Sequence, residues 1–318
     1  KILPEHDGRD SKHYLKISNG DGLHGGGPYH TILPEAYFSE PKLSGFSSEI
    51  GPSGVPEWES VKRFMPEAGK SWKPGRFPLD GVWAYHDAIN FSGSDKRKFS
   101  HYDDIIRSSY GAPDSSYAGI ENYLDKCQLL NHDVYRACLE AVNSQLWDNS
   151  SGILLWKSNS SWPSMVWQVY DWYLQAHGGF YGTKKSAAPL YCQYNRASQK
   201  IEVINASLNS WEETLVSATL YNEDLDQVWE ASEMLDLGEN SVYELDTKVP
   251  LDEDVSFLKL ELINPKGESI IDNFYWLSTS NDFRSFNRLP EPGLRIEAQE
   301  TGRNDKYVSL CLKDRSLR

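Results

Sequence analysis

The chain has 318 residues, enough for one large or two ordinary domains, and carries a net charge of −14. That charge disfavours nucleic acid and anionic membrane surfaces as partners, because both are bound through clustered Lys and Arg. Aromatic residues make up 13% of the sequence, with 11 Trp and 18 Tyr; most are expected in packing, and the surplus suits flat contacts with sugar rings.

Residues 1–12 are charged, lack a signal-peptide core and do not begin with Met. The expectation is a chain cut from a longer polypeptide, with that missing N-terminal part as its partner. The short apolar runs at 14–18 and 45–48 read as buried strands followed by loops, and a helix is expected over 58–65, after Pro56. Across 119–147 the residues Ile120, Tyr123, Leu124, Cys127, Leu130, Val134, Ala137, Cys138 and Ala141 recur at steps of three and four, which predicts one long amphipathic helix. The run Gly152-Ile153-Leu154-Leu155-Trp156 reads as a strand covered on both faces. Polar residues and Pro163 follow it, and a helical pattern returns over 165–174 with Val166, Val169, Tyr170 and Tyr173 on the inner face.

This alternation predicts a parallel α/β architecture for residues 1–187. After Pro189 the pattern turns β-rich: 201–205, 214–221, 241–245 and 257–262 alternate and are separated by turn signals such as Asn264-Pro265-Lys266-Gly267. Residues 188–279 are therefore expected to form a small β-sandwich, and 280–318 a linker with the start of a further β-domain. The fold class is α/β plus all-β.

The eight His are scattered without paired ligand spacing on one element, so no metal site is expected. Gly25-Gly26-Gly27 lacks the remaining signature of a phosphate loop. No run of about eighteen apolar residues predicts a membrane-spanning helix. The compartment stays undecided, with a secreted or periplasmic setting expected for the intact parent.

Four stretches together resemble glycoside hydrolase family 2, in the branch that holds exo-β-D-glucosaminidases and mannosylglycoprotein endo-β-mannosidases. They are Ser18-Asn19-Gly20-Asp21-Gly22 leading to Gly27-Pro28-Tyr29; Ser48-Glu49-Ile50-Gly51 with Val55-Pro56; Val82-Trp83-Ala84-Tyr85-His86; and Leu155-Trp156-Lys157-Ser158-Asn159 with Trp162-Pro163 and Trp167-Gln168-Val169-Tyr170-Asp171. The resemblance implies that residues 1–187 are the C-terminal part of a (β/α)8 barrel, followed by an immunoglobulin-like sandwich, with the active site at the C-terminal ends of the strands. It implies a retaining β-glycosidase acting on β-linked glucosamine or mannose in oligosaccharides or glycans, without a cofactor. The segment after Glu49 is closer to the endo-β-mannosidase form, and Trp162-Pro163-Ser164 closer to the glucosaminidase form.

A retaining mechanism needs a carboxylate nucleophile and a second carboxylic acid about 5–5.5 Å away. Glu49 is expected to be the nucleophile. In the family the second group is a Glu preceded by Asn on an earlier strand. Here Asn-Glu occurs only at Asn222-Glu223, inside the expected sandwich, so the acid/base is expected outside this chain, which would be inactive by itself. Trp156 is expected to stack on a sugar, with Asn159 bonding hydroxyls; Tyr29, His24, Trp83 and Trp162 are expected to line the pocket. The alternative is a non-catalytic carbohydrate-binding protein on the same scaffold.

Overall fold

The computed structural model describes residues 23–65, 81–86, 98–112, 117–252, 254–288, 296–303 and 308–314. The expected strand at 14–18 lies outside them. The chain divides into two compact units, Lys1–Phe283 and Arg284–Arg318.

The larger unit begins with three parallel strands, β1 (Leu23–His24), β2 (Gly45–Ile50) and β3 (Ser150–Leu155), with β2 in the middle. Among the described residues β3 is an edge strand of the sheet, and the expected cover on both faces is not seen at Leu154, which is 55% exposed. Two short helices, α1 (Trp58–Phe64) and α2 (Gly81–His86), precede α3 (Lys98–Ser109) and the 27-residue α4 (Tyr117–Asn143). The apolar positions that predicted α4, from Ile120 to Ala141, are all buried.

The helix expected over 165–174 does not form. Residues 156–177 run as an irregular loop in which Val166, Trp167 and Leu174 have positive φ of 91°, 51° and 63°. The reason lies in distant partners: the amides of Met165 and Val166 donate to His86 O at 2.8 Å and Gly54 O at 2.9 Å, so they cannot serve a helical ladder. A helix unforeseen from the sequence, α5 (Gly178–Ser186), follows instead. Its glycines are weak helix formers, yet they let it lie against α4. A Cβ at Gly178 would stand 2.1 Å from Gln128 O, and one at Gly182 2.3 Å from His132 O.

Seven antiparallel strands follow. β4 (Leu190–Asn195), β5 (Lys200–Asn205) and β8 (Ser241–Lys248) make one sheet, in the order β4-β5-β8. β6 (Trp211–Tyr221), β7 (Gln227–Leu237), β9 (Val255–Ile263) and β10 (Ser269–Ser278) make the other, in the order β10-β9-β6-β7. The sheets share one core, to which Cys192, Val203 and Leu245 contribute from the first and Val216, Leu258 and Leu260 from the second. Two sheets over one core make a β-sandwich.

A buried polar junction joins α4 to the sandwich. Glu140 Oε1 accepts from Tyr191 Oη at 2.8 Å and from Tyr275 Oη at 2.6 Å, while Arg136 Nη1 donates to Phe274 O at 2.8 Å. The smaller unit contains an antiparallel hairpin of β11 (Ile296–Arg303) and β12 (Val308–Asp314).

Candidate active site

Glu49 is the last residue but one of β2, half-buried, and the strand enters a segment, residues 51–56, that is buried throughout. A buried loop must satisfy its backbone groups inside the protein, and this one does so with partners from four parts of the chain. The amide of Gly27 donates to Glu49 O at 3.2 Å, and that of Trp156 to Ile50 O at 2.7 Å. Tyr135 Oη donates to Pro52 O at 2.8 Å, Thr31 Oγ1 to Ser53 O at 3.3 Å, and the amide of Val166 to Gly54 O at 2.9 Å. Val55 O takes both Asn131 Nδ2, at 2.9 Å, and Gln128 Nε2, at 3.1 Å. The stretch that aims Glu49 is thus fixed on one side by α4 and on the other by the loop after β3.

Gly51 is required by this packing, since a Cβ there would stand 2.1 Å from Trp156 O. His177 packs behind Gly54 as a neutral imidazole: Nε2 donates to Gln168 O, and Nδ1 accepts from the amide of Gly179 at 3.0 Å. Burial pushes its pKa down to about 4.

Tyr29 Oη donates to Glu49 Oε2 at 2.6 Å and lies 2.8 Å from Gly25 O, so one phenolic proton is directed between a carboxylate and a carbonyl. Burial, and then the hydrogen bond to Glu49, push the phenol up to about 12, so Tyr29 stays a donor at any ordinary pH. Trp167 holds Tyr29 in place. Its Nε1 donates to Tyr29 O at 2.6 Å, and the two rings meet edge to face with centroids 5.9 Å apart.

The remaining expected residues divide. Trp156 directly follows β3, is 43% exposed, and is tied to β2 by its amide. Trp162 stacks on His86 at 5.5 Å and meets Tyr85 edge-on at 5.2 Å, while His86 Nδ1 donates to Pro163 O at 2.6 Å. Asn159 is exposed, but its side chain is engaged by its neighbours, with Oδ1 accepting from Ser158 Oγ at 2.8 Å. His24 lies beside β2 with Nε2 3.4 Å from Ser44 Oγ. Trp83, expected at the pocket wall, is 2% exposed and packs in the core. Asn222 and Glu223 lie in the loop between β6 and β7, where Asn222 Oδ1 caps the amides of Asp224 and Asp226 and Glu223 is exposed.

Sequence reasoning missed Trp167 and the polar stripe of α4. Gln128, Asn131 and Tyr135 stand three and four residues apart on a face otherwise apolar, and that spacing is the signal that could have marked them.

No protein-family model matches the chain. It is 31% identical over 305 residues to a mannosylglycoprotein endo-β-mannosidase of Lilium longiflorum, a match covering 89% of this chain and 30% of that protein. To an exo-β-D-glucosaminidase of Hypocrea virens it is 30% identical over 277 residues, covering 82% of this chain and 30% of that one. Among solved structures, the exo-chitosanase CsxA of Amycolatopsis orientalis superposes with a TM-score of 0.79 at 24% identity, over 95% of this chain and 38% of that one. A β-D-mannosidase of Dictyoglomus thermophilum gives 0.66 at 14% identity, over 91% and 33%. At these identities the two structures bear on the fold alone. The chain spans about 30% of the length of the curated relatives it matches.

Proposed function

Because the chain belongs to the branch of glycoside hydrolase family 2 that holds exo-β-D-glucosaminidases and mannosylglycoprotein endo-β-mannosidases, we propose that it is the nucleophile-bearing part of a retaining β-glycosidase. The observation that carries this reading is the Tyr29–Glu49 pair at the C-terminal end of a parallel strand, above a loop in which the carbonyls of Pro52, Ser53, Gly54 and Val55 are taken by fixed donors. Such a carboxylate is aimed before substrate arrives.

In the proposed reaction Glu49 attacks the anomeric carbon of a β-linked glucosamine or mannose unit as the bond to the leaving oxygen breaks, giving a covalent glycosyl ester. A second carboxylic acid gives its proton to the leaving oxygen, then takes one from the water that cleaves the ester with return of configuration. We place that acid outside residues 1–318, because Glu223 stands in a solvent loop of the sandwich. Tyr29 orients Glu49 and holds its charge, and Trp156 offers the exposed ring expected of a sugar platform. The strands β1, β2 and β3 are read as the closing strands of a (β/α)8 barrel, and the sandwich as immunoglobulin-like.

The decisive experiment is Glu49→Gln in the full-length protein, with a fluorinated mechanism-based glycoside and intact mass as a second readout. Loss of turnover with an unchanged melting temperature, and covalent labelling of the unmutated protein at Glu49, are expected. Normal turnover in the variant would remove Glu49 from its role, and binding without labelling would favour the non-catalytic alternative. Residues 1–318 alone are expected to hydrolyse nothing, so measurable p-nitrophenyl glycoside turnover by that chain would mean the acid lies within it.

A further inference from the structure

A cleft of about 250 Å³ lies apart from Glu49 in the larger unit, between one stripe of α4, the end of α5 and the outer side of β10. Its aromatic walls are Phe274 and Trp276 of β10, and Tyr110 stacked on Phe283 at 5.7 Å with an interplanar angle of 17°. Phe274 is 44% exposed and is backed by Phe257 at 5.8 Å, so its ring is held while one side meets solvent. Leu129, His132 and Arg136 line the helix side at helical spacing, and Lys185 stands at the end of α5.

The charges of the cleft are matched within the protein. Arg136 pairs with Asp133 at 2.9 Å and also donates to Phe274 O; Asp133 further takes Arg196 at 2.6 Å; Lys185 pairs with Asp272 at 3.3 Å. His132 is kept neutral by burial and by Arg136, which push its pKa down to about 4. An anion would have to displace Asp133 or Asp272 from its cation, and a cation would have to displace Arg136 or Lys185 from its carboxylate. What suits the cleft is an uncharged ligand with one apolar face and several hydroxyls, the face against Phe274 and the hydroxyls toward His132 and Lys185.

The geometry points to a second carbohydrate site in this cleft, selective for neutral hexopyranose oligosaccharides over cationic, amine-bearing ones and independent of the role of Glu49. The test uses the full-length protein carrying Glu49→Gln, titrated calorimetrically with β-1,4-mannotriose and separately with the glucosamine trimer. One binding event that depends on Phe274 is expected for the neutral trisaccharide, whether or not the Glu49 site binds it as well. Phe274→Ala should weaken that event about tenfold, the size of a lost ring contact, and Lys185→Ala should weaken the same event. The glucosamine trimer should bind there about tenfold more weakly than mannotriose.

Phe274 lies outside the Glu49 site, so p-nitrophenyl glycoside turnover of Phe274→Ala in the otherwise unmutated protein should match wild type, and a melting curve checks that the variant is folded. Binding events that all ignore Phe274→Ala, or stronger binding of the cationic trimer at the Phe274-dependent event, would each overturn the proposal. So would a cleft filled by another part of the full-length protein, which leaves no Phe274-dependent event. Turnover by Glu49→Gln would overturn the nucleophile assignment and leave the Phe274-dependent event as it is.

Discussion

Tyr29→Phe isolates one interaction at the proposed nucleophile. The substitution removes the hydroxyl that stands 2.6 Å from Glu49 Oε2 and keeps the ring that meets Trp167 edge-on at 5.9 Å. A hydrogen bond to a charged group contributes about 1.5–3 kcal/mol, which at 1.36 kcal/mol per factor of ten is roughly ten- to a hundredfold in rate. Two features of the site favour the lower end: the phenolic proton is shared with Gly25 O, and both residues are only half-buried, so water can replace part of the bond. The expected result in the full-length protein is a kcat lowered about tenfold with KM near wild type, because the change falls on the reacting carboxylate and not on a sugar-binding ring. Tyr29 titrates only near 12, so the deficit should be constant across the working pH range. Steady-state kinetics on a p-nitrophenyl β-glycoside measure it. A kcat within about twofold of wild type would refute the idea that this bond aims and steadies Glu49.

Two further outcomes follow from the packing and from the buried titratable groups. Gly51→Ala should lower turnover more than Tyr29→Phe does, since its Cβ would meet the backbone oxygen of Trp156 at 2.1 Å and push β2 and the loop after β3 apart; wild-type turnover there would mean the segment after Glu49 yields easily. Stability should peak in mildly acidic solution. Burial raises Glu202 to about 7, so its contribution is complete below about 4.5 and is lost as pH rises through 7, while burial lowers His177 to about 4, so its contribution is complete above 6.5 and is lost as pH falls toward 4. Glu202→Gln keeps one oxygen for one of the two amides, Gln193 Nε2 and Asn195 Nδ2, that donate to the carboxylate, and should flatten the fall of the melting temperature as pH rises to neutral; an unchanged melting profile would show that another group sets it.

The sequence by itself determined what depends on local period and composition. The three- and four-residue spacing from Ile120 to Ala141 marked α4, because a helix that buries one face must repeat at that interval. Alternation marked β5, β6, β8 and β9, and four motif stretches pointed to the family and to Glu49. Tertiary structure alone decided the rest. The apolar spacing over 165–174 looked helical, yet its amides are drawn to His86 O and Gly54 O, partners more than seventy residues away that no local pattern encodes. The glycine-rich α5 forms only because α4 leaves room for backbone and nothing more. Tyr29, a hydrogen-bond partner of Glu49, stands twenty positions away, and what brings them together is the approach of the loop after β1 to the end of β2, fixed by Trp167 and by the side chains of α4. Periodicity reports which face of an element is buried; what that face meets is set by long-range hydrogen bonds and close packing, which leave no repeat in the sequence.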